Sequence, residues 1–553
     1  MKVAERRFHI PAIMMAVVVI FVFLGATVQV DARPLTADFN GDGFDDLAVG
    51  APDEDLASGS GTVFDAGAVN VLYGSANGLA AAGDQLWHQN RPGVEGAAKP
   101  NDGFGAALAV GDFDNDGFDD LAVGVPHDNL AAGVKTIPIA GAVNVLYGSA
   151  GGLSAAGDQL WHQNSGGVRN VAEFGDAFGW ALTAGDFDND GFDDLAVGIP
   201  REDVKTRSGT IFETGAVNVL YGSAGGLSAA GNQFWHQNRP GVRGAAKPGD
   251  NFGWAVAAGD FDNDGFDDLA VGVPFLAGSR GAGAVNVLYG SAGGLSAAGN
   301  QLWHQNRTGV KEVAESNDGF GSALTVGDFD NDGFDDLAVG VPEEDIGTGS
   351  RTIRNAGAVN VLYGSASGLN AAGNQLWHRK KKGVRGAARP KDTLGWALAA
   401  GDFDDDGFDD LAIGVPRDDI KSSSGITRNA GAVNVLYGAA GGLNAARDQL
   451  WHQNTPGVKE VAQKGDLFGW ALAAGDFDND NRDDLAVGVI LESVGSTEDA
   501  GAVNVLYGSA TGLDAAGNQL WHQDVAGVEE VAQTGDHFGN ALPLSSYPFR
   551  VTR

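Results

Sequence analysis

One stretch, Gly111-Asp112-Phe113-Asp114-Asn115-Asp116-Gly117-Phe118-Asp119-Asp120-Leu121-Ala122-Val123-Gly124-Val125-Pro126, recurs seven times along the chain. Its copies begin their acidic segment at Asp38, Asp112, Asp186, Asp260, Asp328, Asp402 and Asp476, at spacings of 74, 74, 74, 68, 74 and 74 residues. A fixed period of this length means one supersecondary unit per repeat, and hence a solenoid, a propeller or an array of small domains. Within a period the order is constant. An apolar run, Ala107 to Val110, leads into the acidic segment and out into Leu121 to Val125. A variable loop follows, then Gly141 to Gly148, in which β-branched and aromatic residues alternate. Gly157 to Asn164 closes the unit after a Gly-Gly turn region. Short apolar runs bounded by glycine read as strands. Four strands per unit and seven units predict an all-β fold, a seven-bladed β-propeller of four-stranded antiparallel blades over residues 33–553. A linear array of four-stranded domains is the alternative. It is disfavoured because one sheet of about 70 residues cannot bury both faces alone.

The acidic segment carries carboxylates at positions 1, 3, 5 and 9 of nine residues. Four charges held about 4–5 Å apart repel by roughly 4 kcal/mol per pair, even at an effective dielectric near 20. A cation relieves that repulsion, and oxygen-only ligands suit a hard ion such as Ca²⁺. Gly117 permits the turn that brings the later ligands back to the first three. The flanks are strands and position 12 is Val123, so this is a hairpin and not a helix–loop–helix calcium site. The other reading, a solvated Asp-rich turn without an ion, needs one or two Asp and not four.

The expected loops span residues 38–46, 112–120, 186–194, 260–268, 328–336, 402–410 and 476–484. Ligands are expected at positions 1, 3, 5 and 9, with the backbone carbonyl at position 7. In loop 1 these are Asp38, Asn40, Asp42, Phe44 and Asp46. Loop 2 offers Asp112, Asp114, Asp116, Phe118 and Asp120, and loop 3 offers Asp186, Asp188, Asp190, Phe192 and Asp194. Loop 4 offers Asp260, Asp262, Asp264, Phe266 and Asp268, and loop 5 offers Asp328, Asp330, Asp332, Phe334 and Asp336. Loop 6 offers Asp402, Asp404, Asp406, Phe408 and Asp410, and loop 7 offers Asp476, Asp478, Asp480, Arg482 and Asp484. About seven structural Ca²⁺ ions are thus expected. Asn481-Arg482 replaces Gly-Phe in loop 7, and the cationic Arg482 ranks that site lowest in affinity. Position 8 is acidic in every loop, and reads as an outward or backbone-capping residue and not a ligand.

Phe104-Gly105 before the first strand, the Asp-x-Asp-x-Asp-Gly-x-x-Asp loop, and Gly124-Val125-Pro126 after it resemble the FG-GAP repeat. The resemblance implies the seven-bladed propeller found at the head of integrin α subunits and in many bacterial surface proteins. It implies a fold more than a function, since sites and not folds carry function.

Residues 1–32 read as an export signal: basic Lys2, Arg6 and Arg7, an apolar run from Ala12 to Ala26, and a cleavage site after Ala32. An uncleaved anchor is the alternative. A secreted, periplasmic or cell-surface location follows, with no membrane span in the mature chain. There is no cysteine, so no disulfide framework stabilises the protein.

Blade 1 lacks the Phe-Gly that precedes the other first strands, and Phe538-Gly539-Asn540-Ala541-Leu542 supplies it at the far end. Ring closure by docking of this segment on blade 1 is expected, against the alternative of a frayed eighth repeat. One Trp-His pair recurs per blade, from Trp87-His88 to Trp521-His522. Equivalent positions lie far apart round a ring, so these read as packing residues and not as one metal site.

Variation concentrates in the loops opposite the acidic hairpins, where recognition by a rigid scaffold usually resides. There the basic run Arg379, Lys380, Lys381 and Lys382, with Arg385, stands out on a chain of net charge −37. It is the candidate ligand face. The expected partner is an extracellular protein or a glycan, with an anionic one favoured by this run. No aromatic residues interleave with it, so nucleic acid is not expected. The expected role is a calcium-stabilised binding or adhesion module, a monomer and not an enzyme. A propeller enzyme acting on polysaccharide and a structural surface component are the alternatives.

Overall fold

The computed structural model describes residues 37–59, 61–133, 135–207, 209–276, 281–347, 351–422 and 425–542. The expected export signal lies outside the described residues. No helix occurs among them; every element is a strand. None is therefore a helix long and apolar enough to cross a membrane.

Blade 2 shows the unit. Its strands are Ala107–Gly111, Asp120–Val125, Ala142–Tyr147 and Ser154–Trp161, paired antiparallel in that order. The first three are buried along their whole length, with Asp120 and Asn144 among the buried residues. The fourth is a half-exposed edge strand whose middle, Ala156-Gly157, faces solvent. It begins at Ser154, three residues before the expected start, because a bulge between Val145 and Tyr147 extends the pairing to Tyr147↔Ser154. Blades 3 to 7 repeat this meander.

Side chains between the sheets form the core. The Phe at position 2 of each acidic loop (Phe39, Phe113, Phe187, Phe261, Phe329, Phe403 and Phe477) is buried. Each contributes roughly 1.5–3 kcal/mol. A tyrosine per blade reaches into the next: Tyr73 Oη accepts the Leu153 amide at 3.2 Å and donates to Gln85 at 2.8 Å. Gly152 lies against that hydroxyl, and a Cβ there would come within 1.9 Å of it, so only glycine fits.

The ring closes as expected. Blade 1 has three strands of its own, Leu47–Ala51, Ala68–Tyr73 and Ala80–Trp87. The C-terminal segment supplies the fourth position: Gly50 donates to the Ala541 carbonyl at 2.8 Å and Gly539 donates back to the Gly50 carbonyl at 3.1 Å. Phe538 is fully buried.

One feature was not expected. Short two-stranded hairpins, such as Leu130–Ala132 with Lys135–Ile137, occupy the variable loop of blades 1, 2, 3, 5 and 6. Their strands have only two or three residues, too few to show a period. The Trp-His pairs are local: His88 Nδ1 accepts the Asn90 amide at 3.1 Å, and the Trp87 ring lies under the Arg91 guanidinium at 4.3 Å.

Candidate metal-binding hairpins

Each acidic loop is a self-bonded hairpin. In loop 2 the Asp112 carboxylate accepts the Asp116 amide at 3.1 Å and the Gly117 amide at 3.0 Å. Asp116 accepts the Phe118 amide at 3.1 Å. Gly117 has φ +88°, the left-handed conformation the turn requires, and Asn481 adopts φ +67° at the same place in loop 7. At position 9, Asp120 Oδ2 accepts the Phe113 amide at 2.9 Å and Oδ1 the Gly148 amide at 2.8 Å. The first hairpin and the turn between strands 3 and 4 are thus tied together on one face.

These bonds converge the carboxylates. Asp112, Asp114 and Asp120 bring an oxygen each within 4.8 Å of one another, as do Asp186, Asp188 and Asp194, Asp260, Asp262 and Asp268, and Asp328, Asp330 and Asp332. Burial first, and the neighbouring acids with it, pushes every position 9 carboxyl (Asp46, Asp120, Asp194, Asp268, Asp336, Asp410 and Asp484) up to about 9. The same causes raise position 3 in loops 2 to 7.

One atom tests whether an ion fits. Oδ1 of Asp114, Asp188, Asp262, Asp330 and Asp478 is buried and has no hydrogen-bond partner. An orphaned carboxylate oxygen is costly unless a cation meets it. Asn40 differs, because its Oδ1 accepts the Asp42 amide at 2.8 Å and it carries one charge fewer. These residues could hold a metal ion, with position 7 contributing its backbone carbonyl.

Loops 6 and 7 each hold an arginine. Arg482 Nη1 pairs with Asp480 at 3.0 Å, and its other nitrogen lies 4.0 Å from Asp405 of the preceding loop. Arg447 was not anticipated. It replaces the glycine found at this place in the other blades, for example Gly157 and Gly373. Those glycines have positive φ, whereas Arg447 does not. Its guanidinium pairs with Asp404 at position 3 and lies 3.3 Å from Asp406 at position 5. Comparing the repeats residue by residue would have exposed it.

Position 8 points between blades, not outward. Asp119 Oδ2 accepts the Asp38 amide of the preceding loop at 2.9 Å. Asp193 does so with Asp112, Asp267 with Asp186, Asp335 with Asp260, Asp409 with Asp328, and Asp483 with Asp402. Asp45 closes the circle on Asp476 at 2.8 Å. The backbone-capping half of the expectation stands, in an interblade form.

The basic run does not form one surface. The Arg379 side chain is 1% exposed; it pairs with Asp418 at 2.7 Å and donates from Nε to Asn434 at 2.9 Å. It occupies the place of a glutamine in the other blades and belongs to the interior. Lys381 lies over the Trp377 ring at 3.2 Å, and burial lowers its amine to about 8. Lys380, Lys382 and Arg385 are exposed.

The geometry defines a class: a closed seven-bladed β-propeller whose first hairpins form a ring of acidic, cation-suited loops. FG-GAP repeats match at residues 32–72, 104–144, 178–217, 252–288, 320–362, 394–436 and 468–506. The chain belongs to the FG-GAP repeat family. It is similar to integrin alpha-5 of Xenopus laevis, 31% identical over 239 residues, 43% of this chain and 20% of that protein. Integrin alpha-PS2 of Drosophila melanogaster is 31% identical over 249 residues, 44% of this chain and 15% of its own. Phosphatidylinositol-glycan-specific phospholipase D of Rattus norvegicus is 38% identical over 169 residues, 30% of this chain and 18% of its own. The chain thus matches a fifth or less of the length of these relatives.

Proposed function

We propose that this protein is an extracellular binding module whose hairpins hold structural Ca²⁺ and whose opposite face recognises a protein or glycan partner. One observation carries the face. The large hydrophobic side chains most exposed among the described residues are Phe64, Val171, Phe174, Phe212, Val313, Ile426, Val461 and Val531. Every one lies in a loop between strands 2 and 3 or in a blade-to-blade linker, on the side away from the acidic hairpins. Apolar groups gathered on one face mark an interaction surface. A pocket of about 430 Å³ opens there between blades 1 and 2, lined by Pro52, Pro100, His127, Pro138 and Ile139 among others. Lys380, Lys382 and Arg385 add positive charge to the same side. The integrin α relatives support a binding role, and the oxygen-only hairpins support calcium over softer metals.

The test is binding of the calcium-loaded chain to arrays of glycans and extracellular proteins. Two variants accompany it, Phe174→Ser with Phe212→Ser, and Lys380→Gln with Lys382→Gln and Arg385→Gln. Binding lost in either variant while the fold persists supports the reading. Binding unchanged in both refutes the assignment of this face.

A further inference from the structure

On the same face, each blade except the fourth repeats a second acidic arrangement. The loop after strand 2 supplies an acid: Glu54, Asp128, Glu202, Glu344, Asp418 and Glu492. The linker before strand 1 supplies an Asp that caps its own turn, as Asp102 does by accepting the Lys99 amide at 2.7 Å. The residue at the start of that turn then faces the first acid.

In most blades this place is neutralised from within. Lys99 pairs with Asp128. Arg389 pairs with Asp418 at 2.8 Å, and Arg379 joins it. Gln533 donates to Glu54 Oε1 at 2.9 Å, and Gln463 donates to Glu492 Oε1 at 3.4 Å. In blade 3 Asn170 donates to Glu202 Oε1 at 2.5 Å, and Lys205 pairs with Glu173.

Blade 5 breaks the pattern. The turn residue is Glu315, the counterpart of Asn170 is Glu312, and the counterpart of Lys205 is Gly347. Gln305 still donates to Glu344 Oε2 at 2.5 Å, but Glu344 Oε1 has no partner although the residue is 0% exposed. Asp318 is also buried, and it caps the Glu315 amide. Glu315, Asp318 and Glu344 bring an oxygen each within 4.8 Å of one another. The neighbouring charges that act on Glu344 are Asp318, Glu312 and Glu315, all negative. Glu343 alongside feels Arg417 first, then Asp318 and Asp345.

We propose that Glu315, Asp318 and Glu344 form a further divalent-cation site, set between blades 4 and 5 on the face opposite the acidic hairpins. The sibling blades show what the place demands, a positive charge or a donor to each carboxylate oxygen, and blade 5 supplies only the Gln305 donor to Oε2. Three carboxylates with oxygen-only donors select a hard ion, Ca²⁺ being the first candidate, with water completing its shell. An ion here would pin the linker that enters blade 5 to that blade's own loop. The site does not depend on the hairpins being occupied.

The test is the metal content of the full mature chain after dialysis against Ca²⁺, for wild type, Glu315→Lys and Asp114→Ala. Glu315→Lys copies the internal cation that blade 2 already uses, so folding is preserved. The site predicts one ion fewer per chain in Glu315→Lys, whatever the hairpin count. Asp114→Ala reports on the hairpins separately, so failure of the hairpin reading would show there and not in Glu315→Lys. Crystals soaked in Mn²⁺ should give an anomalous peak between Glu315, Asp318 and Glu344 in wild type and none in Glu315→Lys. Equal metal content in wild type and Glu315→Lys, or no peak in wild type, would overturn the proposal.

Discussion

The Asp45 carboxylate accepts the amide hydrogen of Asp476 at 2.8 Å, joining the first acidic hairpin to the seventh. The bond completes a circle of seven, one per blade, each linking a position 8 carboxylate to the position 1 amide of the loop before it. Neighbouring hairpins are therefore coupled, and anything that orders one loop also holds its neighbours.

Breaking one link should be felt. In Asp119→Ala the Asp38 amide loses its acceptor at a half-buried site. A loss of about 1–3 kcal/mol is expected, the cost of an unsatisfied buried donor. Chemical denaturation checks it; a change within 0.5 kcal/mol, typical of a neutral surface substitution, would contradict the linkage.

Closure by the C-terminal segment predicts a larger effect. Deleting residues 536–553 removes Phe538 and the Gly50 pairing. Burial of the phenylalanine alone contributes roughly 1.5–3 kcal/mol. The melting temperature should drop sharply, and an unchanged melt would show that blade 1 does not need this segment.

Arg447 acts as an internal counter-charge for Asp404 and Asp406. In Arg447→Gly the blade 6 loop should behave like its siblings. Its Ca²⁺ affinity should rise about tenfold or more, and the variant should be less stable than wild type in chelator. Calorimetric titration decides; unaltered binding would mean that the guanidinium does not compete.

Much of this was legible in the sequence. The period of 74 residues and the glycine-bounded strands gave blade number and order, because seven near-identical units leave one way to close. The convergence of the hairpin carboxylates was legible for the same reason. What escaped depends on contacts between blades. Arg379 sits in a basic run yet is buried, because a neighbouring blade offers Asp418. Arg447 lies on a strand remote in sequence from the loop it meets. Position 8 left outward and backbone-capping readings open, because the amide it caps belongs to the preceding blade's loop.

The pH dependence follows from buried acids away from the hairpins. Burial pushes Asp102, Asp392 and Glu492 up to about 7, from ordinary values near 4. Their raised values favour the folded state fully below about pH 4, where both states are protonated. That contribution is lost as pH rises through 7. In chelator the denaturation midpoint should fall between pH 5 and 8, and Asp392→Asn should flatten the slope. A midpoint that rises over this range would contradict the assignment.

The central claim is that cations in the hairpins hold the ring together. At ten times Kd each occupied site adds about 1.4 kcal/mol. A few sites then rival the roughly 5–15 kcal/mol net stability of a typical domain. The direct measurement is the thermal melt of the chain in Ca²⁺, in EDTA, and in EDTA followed by excess Ca²⁺. The account predicts a melting temperature many degrees lower in EDTA and restored by Ca²⁺. A melt indifferent to EDTA would contradict it.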